Sequence, residues 1–220
     1  MLELMILCLF QLPSFFPLGG YGINIEPQKD LIDKYSEDRE KDINLCVGVG
    51  EKDDVMRLYG SGSGASMVAE EADDTNNYIE VPVRTLKEIC EEYIVCKQDI
   101  HFLKIDVEGF ELQVLEGADF SKYVPWIICI EAVVSGTEAA IQNNWEYILL
   151  EHGYDFVWDD GQNRYYVQKS RLEILEQAKL LPKFDELYDV TSRSELEVIR
   201  NEYSAILESN TWKWAKRIRK

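Results

Sequence analysis

Apolar residues along this chain fall into two alternating rhythms. Short near-continuous runs read as strands, and the stretches between them, with apolar residues three to four apart, read as amphipathic helices. Strands feeding helices in that order predict an α/β sheet. Residues 22–25 read as a strand that Pro27 stops, and 28–40 as a polar helix with Leu31, Ile32 and Tyr35 inward. Further strands are expected over 44–49, 55–59 and 78–83. The last two are separated by the loop Gly60-Ser61-Gly62-Ser63-Gly64 and a polar stretch, 70–77. A helix over 85–94 has Thr85 in place to cap it. Residues 101–106, HFLKID, read as a buried strand of the parallel kind, followed by a helix over 108–117 that ends at Gly117. Another buried strand covers 126–130, and a helix over 138–151 is closed by Gly153. A hairpin then joins 154–158 to 165–167 around Asp159-Asp160-Gly161. From about 170 the composition shifts, and 192–209 places Leu196, Ile199, Tyr203, Ile206 and Leu207 at helical spacing.

Length and charge narrow the picture. The 220 residues, 46% of them apolar, suit one domain with an appendage and exclude general disorder. Lys and Arg number 23 against 41 Asp and Glu, a net −18 that gives no electrostatic footprint for nucleic acid. Five cysteines (Cys8, Cys46, Cys90, Cys96, Cys129) without a Cys-x-x-Cys, and two histidines (His101, His152), offer neither a zinc set nor a disulfide framework; a reducing, cytoplasmic setting is expected. Residues 1–18 are very apolar, yet the first basic residue is Lys29, and Glu3, Gln11, Pro13 and Pro17 interrupt the run. That pattern suits neither a signal peptide nor a membrane span, and predicts a buried strand or an atypical terminus. The last nine residues, WKWAKRIRK, carry five basic side chains and two tryptophans. They suit docking to a partner protein, to a membrane surface, or to the chain's own acidic domain.

The densest chemistry is Lys104-Ile105-Asp106-Val107-Glu108-Gly109-Phe110-Glu111, where a buried strand gives way to a helix. Ligand crevices in open α/β sheets lie just outside such strand ends. The same residues also suit a helix N-terminus, with Asp106 as N-cap and Glu108 and Glu111 complementing the dipole, so spacing alone leaves both readings open. Glu26 and Glu131 end strands in the same way. Three successive acidic strand ends suggest a rim of acceptors for ribose hydroxyls, a substrate hydroxyl or a hard cation. His101 starts its strand at the opposite end, away from that rim.

GINIEP, NLCVGVGEKDD, VPVRTL, HFLKIDVEGFELQVLEGADF and PWIICIEA, in that order from Gly22 to Val167, resemble the FkbM-type S-adenosylmethionine-dependent methyltransferases. The resemblance implies a class I, Rossmann-like sheet with helices on both faces over 22–168, after an atypical apolar 1–21 and before a helical extension over 169–220 with a basic end. It also implies a hydroxyl-bearing small-molecule or glycan acceptor. Glu26 would hold the cofactor ribose, and Gly48 to Gly50 would approach the adenine. Asp106, Glu108 and Glu131 would form the catalytic set, with Asp106 as the first candidate base; no metal ligand set is expected. One family element has no counterpart. The 21 residues before Gly22 contain no Asp and no Gly-x-Gly, so the first strand and its methionine-holding glycine turn read as missing or replaced. The Gly60–Gly64 run is a weak substitute, because alternating Ser and Gly more often marks a connector. Two functions follow from the resemblance. One is O-methylation of a saccharide or similar hydroxyl. The other is an impaired remnant serving as a binding module beside a glycosyltransferase in surface-polysaccharide synthesis.

Overall fold

A computed structural model describes residues 3–8, 21–61, 65–69, 76–95, 98–132 and 144–181. The expected helix over 192–209 and the basic tail lie outside these residues. The chain divides into two units, 1–180 and 181–220.

The described elements are β1 (Glu3–Cys8), β2 (Tyr21–Ile25), α1 (Lys29–Asp38), β3 (Ile43–Leu45), β4 (Gly48–Gly50), β5 (Asp54–Tyr59), β6 (Tyr78–Thr85) and α2 (Leu86–Tyr93). After them come β7 (Phe102–Asp106), α3 (Glu111–Glu116), β8 (Ile127–Glu131), α4 (Glu146–Glu151), β9 (Tyr154–Asp159), β10 (Asn163–Gln168) and α5 (Leu172–Ala178). The fold is mixed α/β. Seven strands form one sheet in the order β3-β2-β1-β7-β8-β10-β9, and three form a second in the order β4-β6-β5.

Strand directions position the site. β2 runs parallel to β3 and β7 parallel to β8, whereas β1 is antiparallel to both of its neighbours, β2 and β7. The carboxyl ends of β2, β7 and β8 therefore share one edge of the sheet. Residues 3–8 fill the central slot that the resemblance left vacant, but they run the opposite way.

Burial follows the two-residue period of the strands. Ile23 and Ile25, Leu103 and Ile105, and Ile128 and Ile130 are all buried, and each in full is worth about 1.5–3 kcal/mol. β7 proves to alternate, with Lys104 and Asp106 half-buried on the other face. The core continues through Trp145, packed edge-on to Tyr166 at 5.8 Å, and through Tyr154, whose hydroxyl donates to the Pro125 carbonyl at 2.8 Å.

Several sequence expectations need correction. The single strand over 44–49 is two: β3 joins the large sheet and β4 the small one, because the chain changes sheets at Cys46-Val47. The helix expected from 108 begins at Glu111, since Glu108 and Gly109 hold φ of 51° and 92° and form a turn. α4 begins at Glu146, and 138–143 of the helix expected there lies outside the described residues. The hairpin forms as expected, with an irregularity in register between Tyr165 and Tyr166. α5 falls within the helical extension expected over 169–220, whose remainder from 182 lies outside the described residues. Thr85 caps α2 in a full capping box: its hydroxyl accepts from Glu88 N at 3.1 Å while Glu88 reaches back to Thr85. No helix among the described residues is long and apolar enough to cross a membrane.

Candidate functional site

Asp106 and Glu131 end adjacent parallel strands, and the Ile105–Ile130 pairing sets them side by side. The turn after β7 brings Glu108 to the same place. Carboxylate oxygens of Asp106, Glu108 and Glu131 all lie within 4.8 Å of one another. Three oxygens at that spacing are geometrically able to hold a hard cation, which would acidify a bound hydroxyl. Lys104, on the same face two residues before Asp106, places Nζ 2.6 Å from Asp106 Oδ2. Glu131 shares a hydrogen bond with Asp106, and its Oε2 is buried without a partner. Burial first, and then the charges of Asp106, Glu108 and Glu111, hold the Glu131 carboxyl well above the usual carboxylate range. Like charges this close cannot all ionise at once, so the cluster keeps a proton to share at neutral pH.

Two side chains shape the turn from inside. Glu108 sits at φ 51° without being glycine, a conformation that costs about 1–2 kcal/mol unless its surroundings hold it. Ser66, fully buried, donates its hydroxyl to the Glu108 carbonyl at 2.7 Å. Ser66 is itself fixed by backbone hydrogen bonds to Tyr59 at the end of β5. Glu111 lies inward, 1% exposed, and its Oε1 accepts from Val107 N at 3.4 Å and Gly109 N at 3.2 Å. It braces the turn from below the acid cluster instead of decorating a helix dipole. Ser66 had no spacing signal in the sequence, and the spacing of Glu111 pointed to a helix dipole and not to a brace inside the turn.

Burial pushes the Glu111 carboxyl up to about 7 against 4.5 for an ordinary glutamate. The folded chain thus keeps a proton that the unfolded chain has released, and stability falls as pH rises from about 4.5 through 7. Glu111→Gln keeps an acceptor for both amides and removes this ionisation. We expect the variant to melt higher than the native chain at pH 8 and to show a flatter decline between pH 5 and 8. Melting curves that decline in parallel would show that Glu111 is not the group responsible.

Beside the cluster, and joined to it through Val107, is an apolar pocket whose walls include Ile25, Pro27, Gly48, Val49 and Phe110, with Met67 across it. Its free volume is about 20 Å³, room for one water. A Cβ at Gly48 would overlap Met67 Cε, so the glycine is what lets the thioether lie against the β4 backbone. Glu26, 0% exposed at the end of β2, accepts from Gln28 N at 2.8 Å beside this pocket. Gly50 packs elsewhere, where an added Cβ would lie 3.0 Å from Val83 Cγ1 and 3.2 Å from Phe110 Cε1. Asp106, Glu108 and Glu131 thus come together, Gly48 lines the neighbouring pocket, Glu26 lies between two of its wall residues, Ile25 and Pro27, and Gly50 packs behind it against Val83 and Phe110. At this volume the slot holds no more than a water, and a larger ligand would enter only if the flexible Met67 thioether swung aside. His101 lies at the opposite end of β7, 4.1 Å from the Trp126 ring.

The two sheets and their helices define a mixed α/β domain with an acidic edge at the ends of β7 and β8. The profile of the Methyltransferase FkbM domain matches residues 10–156, well over half of the chain, and the chain belongs to that family. It is similar to the crystal structure of methyltransferase FkbM from Methylobacillus flagellatus KT, at 19% identity and a TM-score of 0.39 over 65% of this chain. The chain spans 35% of that protein's length. No curated protein sequence matches it.

Proposed function

We propose that this chain is an S-adenosylmethionine-dependent methyltransferase acting on a hydroxyl oxygen of a saccharide or similar small acceptor. The observation that carries this reading is the Asp106–Glu108–Glu131 cluster, a proton-handling group joined through Val107 to a small apolar pocket between β2 and β4. When bound, the cofactor supplies an electrophilic methyl on a sulfonium. Glu26 would hold the ribose hydroxyls, and Gly48 and Met67 would line the base. The chain's own task is then to align the acceptor oxygen and take its proton. Asp106 is the base, because Lys104 steadies its second oxygen and Glu131 lies close enough to relay the proton onward. Transfer of labelled methyl from S-adenosylmethionine to a panel of sugars tests the proposal. Labelling of hydroxyl-bearing sugars is expected, and a chain that labels none of them is not this enzyme.

A second reading, an impaired remnant that binds beside a glycosyltransferase, draws its support from the reversed β1. In either case we place the chain in the cytoplasm, with the basic tail as the contact to a partner enzyme or a membrane surface. Co-sedimentation with anionic vesicles, compared with a 1–190 truncation, tests the membrane contact.

A further inference from the structure

β5 is an edge strand. In the small sheet it has β6 on one side, and among the described residues only Ser66 pairs with the other, opposite Tyr59. Pro82 fixes which groups that open side carries. It stands opposite Val55 and has no N–H, so the two are not a hydrogen-bonded pair. Val55, Arg57 and Tyr59 therefore turn their N–H and C=O groups away from β6. Tyr59 uses both of its own on Ser66, at 2.9 and 3.0 Å. At Val55 and Arg57 the same groups face outward along an exposed strand. Asp54 Oδ1 accepts from Val55 N at 2.8 Å, a local cap that an incoming carbonyl can replace.

The side chains of this edge are complementary to their own reverse. Val55 and Arg57 share a face with Pro82 and Glu80, and all four are exposed, Val55 to 63%. The Arg57 guanidinium lies over the Tyr78 ring at 4.4 Å, which holds the cation on this face beside the edge. Asp53, two residues before Val55, is exposed and shares a hydrogen bond with a second carboxyl group, that of Glu88. Positions 53, 55 and 57 thus read acid, apolar, base. Set against a second copy running the other way, with Val55 facing Val55, the series places Asp53 of each copy opposite Arg57 of the other. It also joins the two Val55–Pro82 pairs into one apolar strip across the axis.

We infer that β5 pairs antiparallel with β5 of a second copy of this chain, merging the two three-stranded sheets into one across a two-fold axis. The inference is independent of the methyltransferase reading, since it uses no residue of the acid cluster or its pocket.

Sedimentation equilibrium of the intact chain over about 5–500 μM tests it, a range suited to the small interface of a paired edge. A reversible monomer–dimer equilibrium within that range is expected. Arg57→Asp and Asp53→Arg each set like charges against one another at both ends of the pairing, and each should weaken the dimer at least tenfold. The double variant restores opposite charges and should return to within threefold of native. In the native chain the Arg57 amide should exchange with solvent at least fivefold more slowly at the top of the range than at the bottom. A chain that stays monomeric throughout overturns the inference, as does a dimer in which Arg57 exchange ignores concentration. A double variant with native circular dichroism that dimerises no more tightly than the single ones overturns it too.

Discussion

Asp106→Asn is expected to lower the rate of methyl transfer by about 10²–10⁴, the usual contribution of a positioned general base, with the fold retained. Asn has the shape of Asp and can still accept from Lys104 Nζ, but it cannot take a proton from the acceptor. Labelled-methyl transfer, with circular dichroism alongside, reads the outcome. A rate within threefold of native would remove Asp106 from the mechanism. The same variant carries an electrostatic signature. Asp106 is one of the charges holding the Glu131 carboxyl high, so its neutralisation should move Glu131 back towards an ordinary glutamate. Any residual activity should therefore show its pH limb at lower pH than the native enzyme does.

Gly117→Ala should destabilise the chain by about 3 kcal/mol, the upper range for forcing a methyl group into a packed site. Gly117 ends α3 at φ −80°, which any residue can adopt, so its conformation does not require glycine. The close approach does. A Cβ there would drive into the Gly50 carbonyl oxygen and lie 3.0 Å from its carbon and 3.3 Å from Glu51 Cα, all of it backbone. The Gly117 carbonyl also accepts from Lys87 N at 2.9 Å, so the helix end cannot shift without straining α2. Urea unfolding measures the loss, which corresponds to a fall in Tm of roughly 6–12 °C for a chain of this size. A change below about 0.5 kcal/mol, the range of neutral surface substitutions, would show that α3 and β4 do not meet this closely. Because β4 carries Gly48, the same substitution should also disturb the pocket wall.

Much of this architecture was legible along the chain. The Thr85 cap, the turn after Asp159 and the buried pairs of β2, β7 and β8 all depend on neighbours a few residues away, and local spacing reports them faithfully. The acids at the ends of β2, β7 and β8 were legible for the same reason, since the end of an apolar run marks the end of a strand. The sequence did not reveal how Glu108 is held. Its turn is stabilised by Ser66, 42 positions earlier, in a stretch whose composition reads as a loop. Met67 was equally silent, because a lone methionine has no period and its place against Gly48 comes from the path of the chain after β5.

By itself, then, the amino-acid order determined that this protein is α/β, where most of its strands lie, and which carboxylates stand at their ends. Side-chain alternation and backbone restriction act over two to four residues and are written locally. The tertiary structure decided what those ends can hold. The apolar stretch near the start was readable as a strand, but its direction depends on pairing with β2 and β7, the latter about a hundred residues away. An apolar strand pairs in either direction with similar local chemistry. Only the assembled sheet selects one, and here it turns the end of β1 away from the crevice.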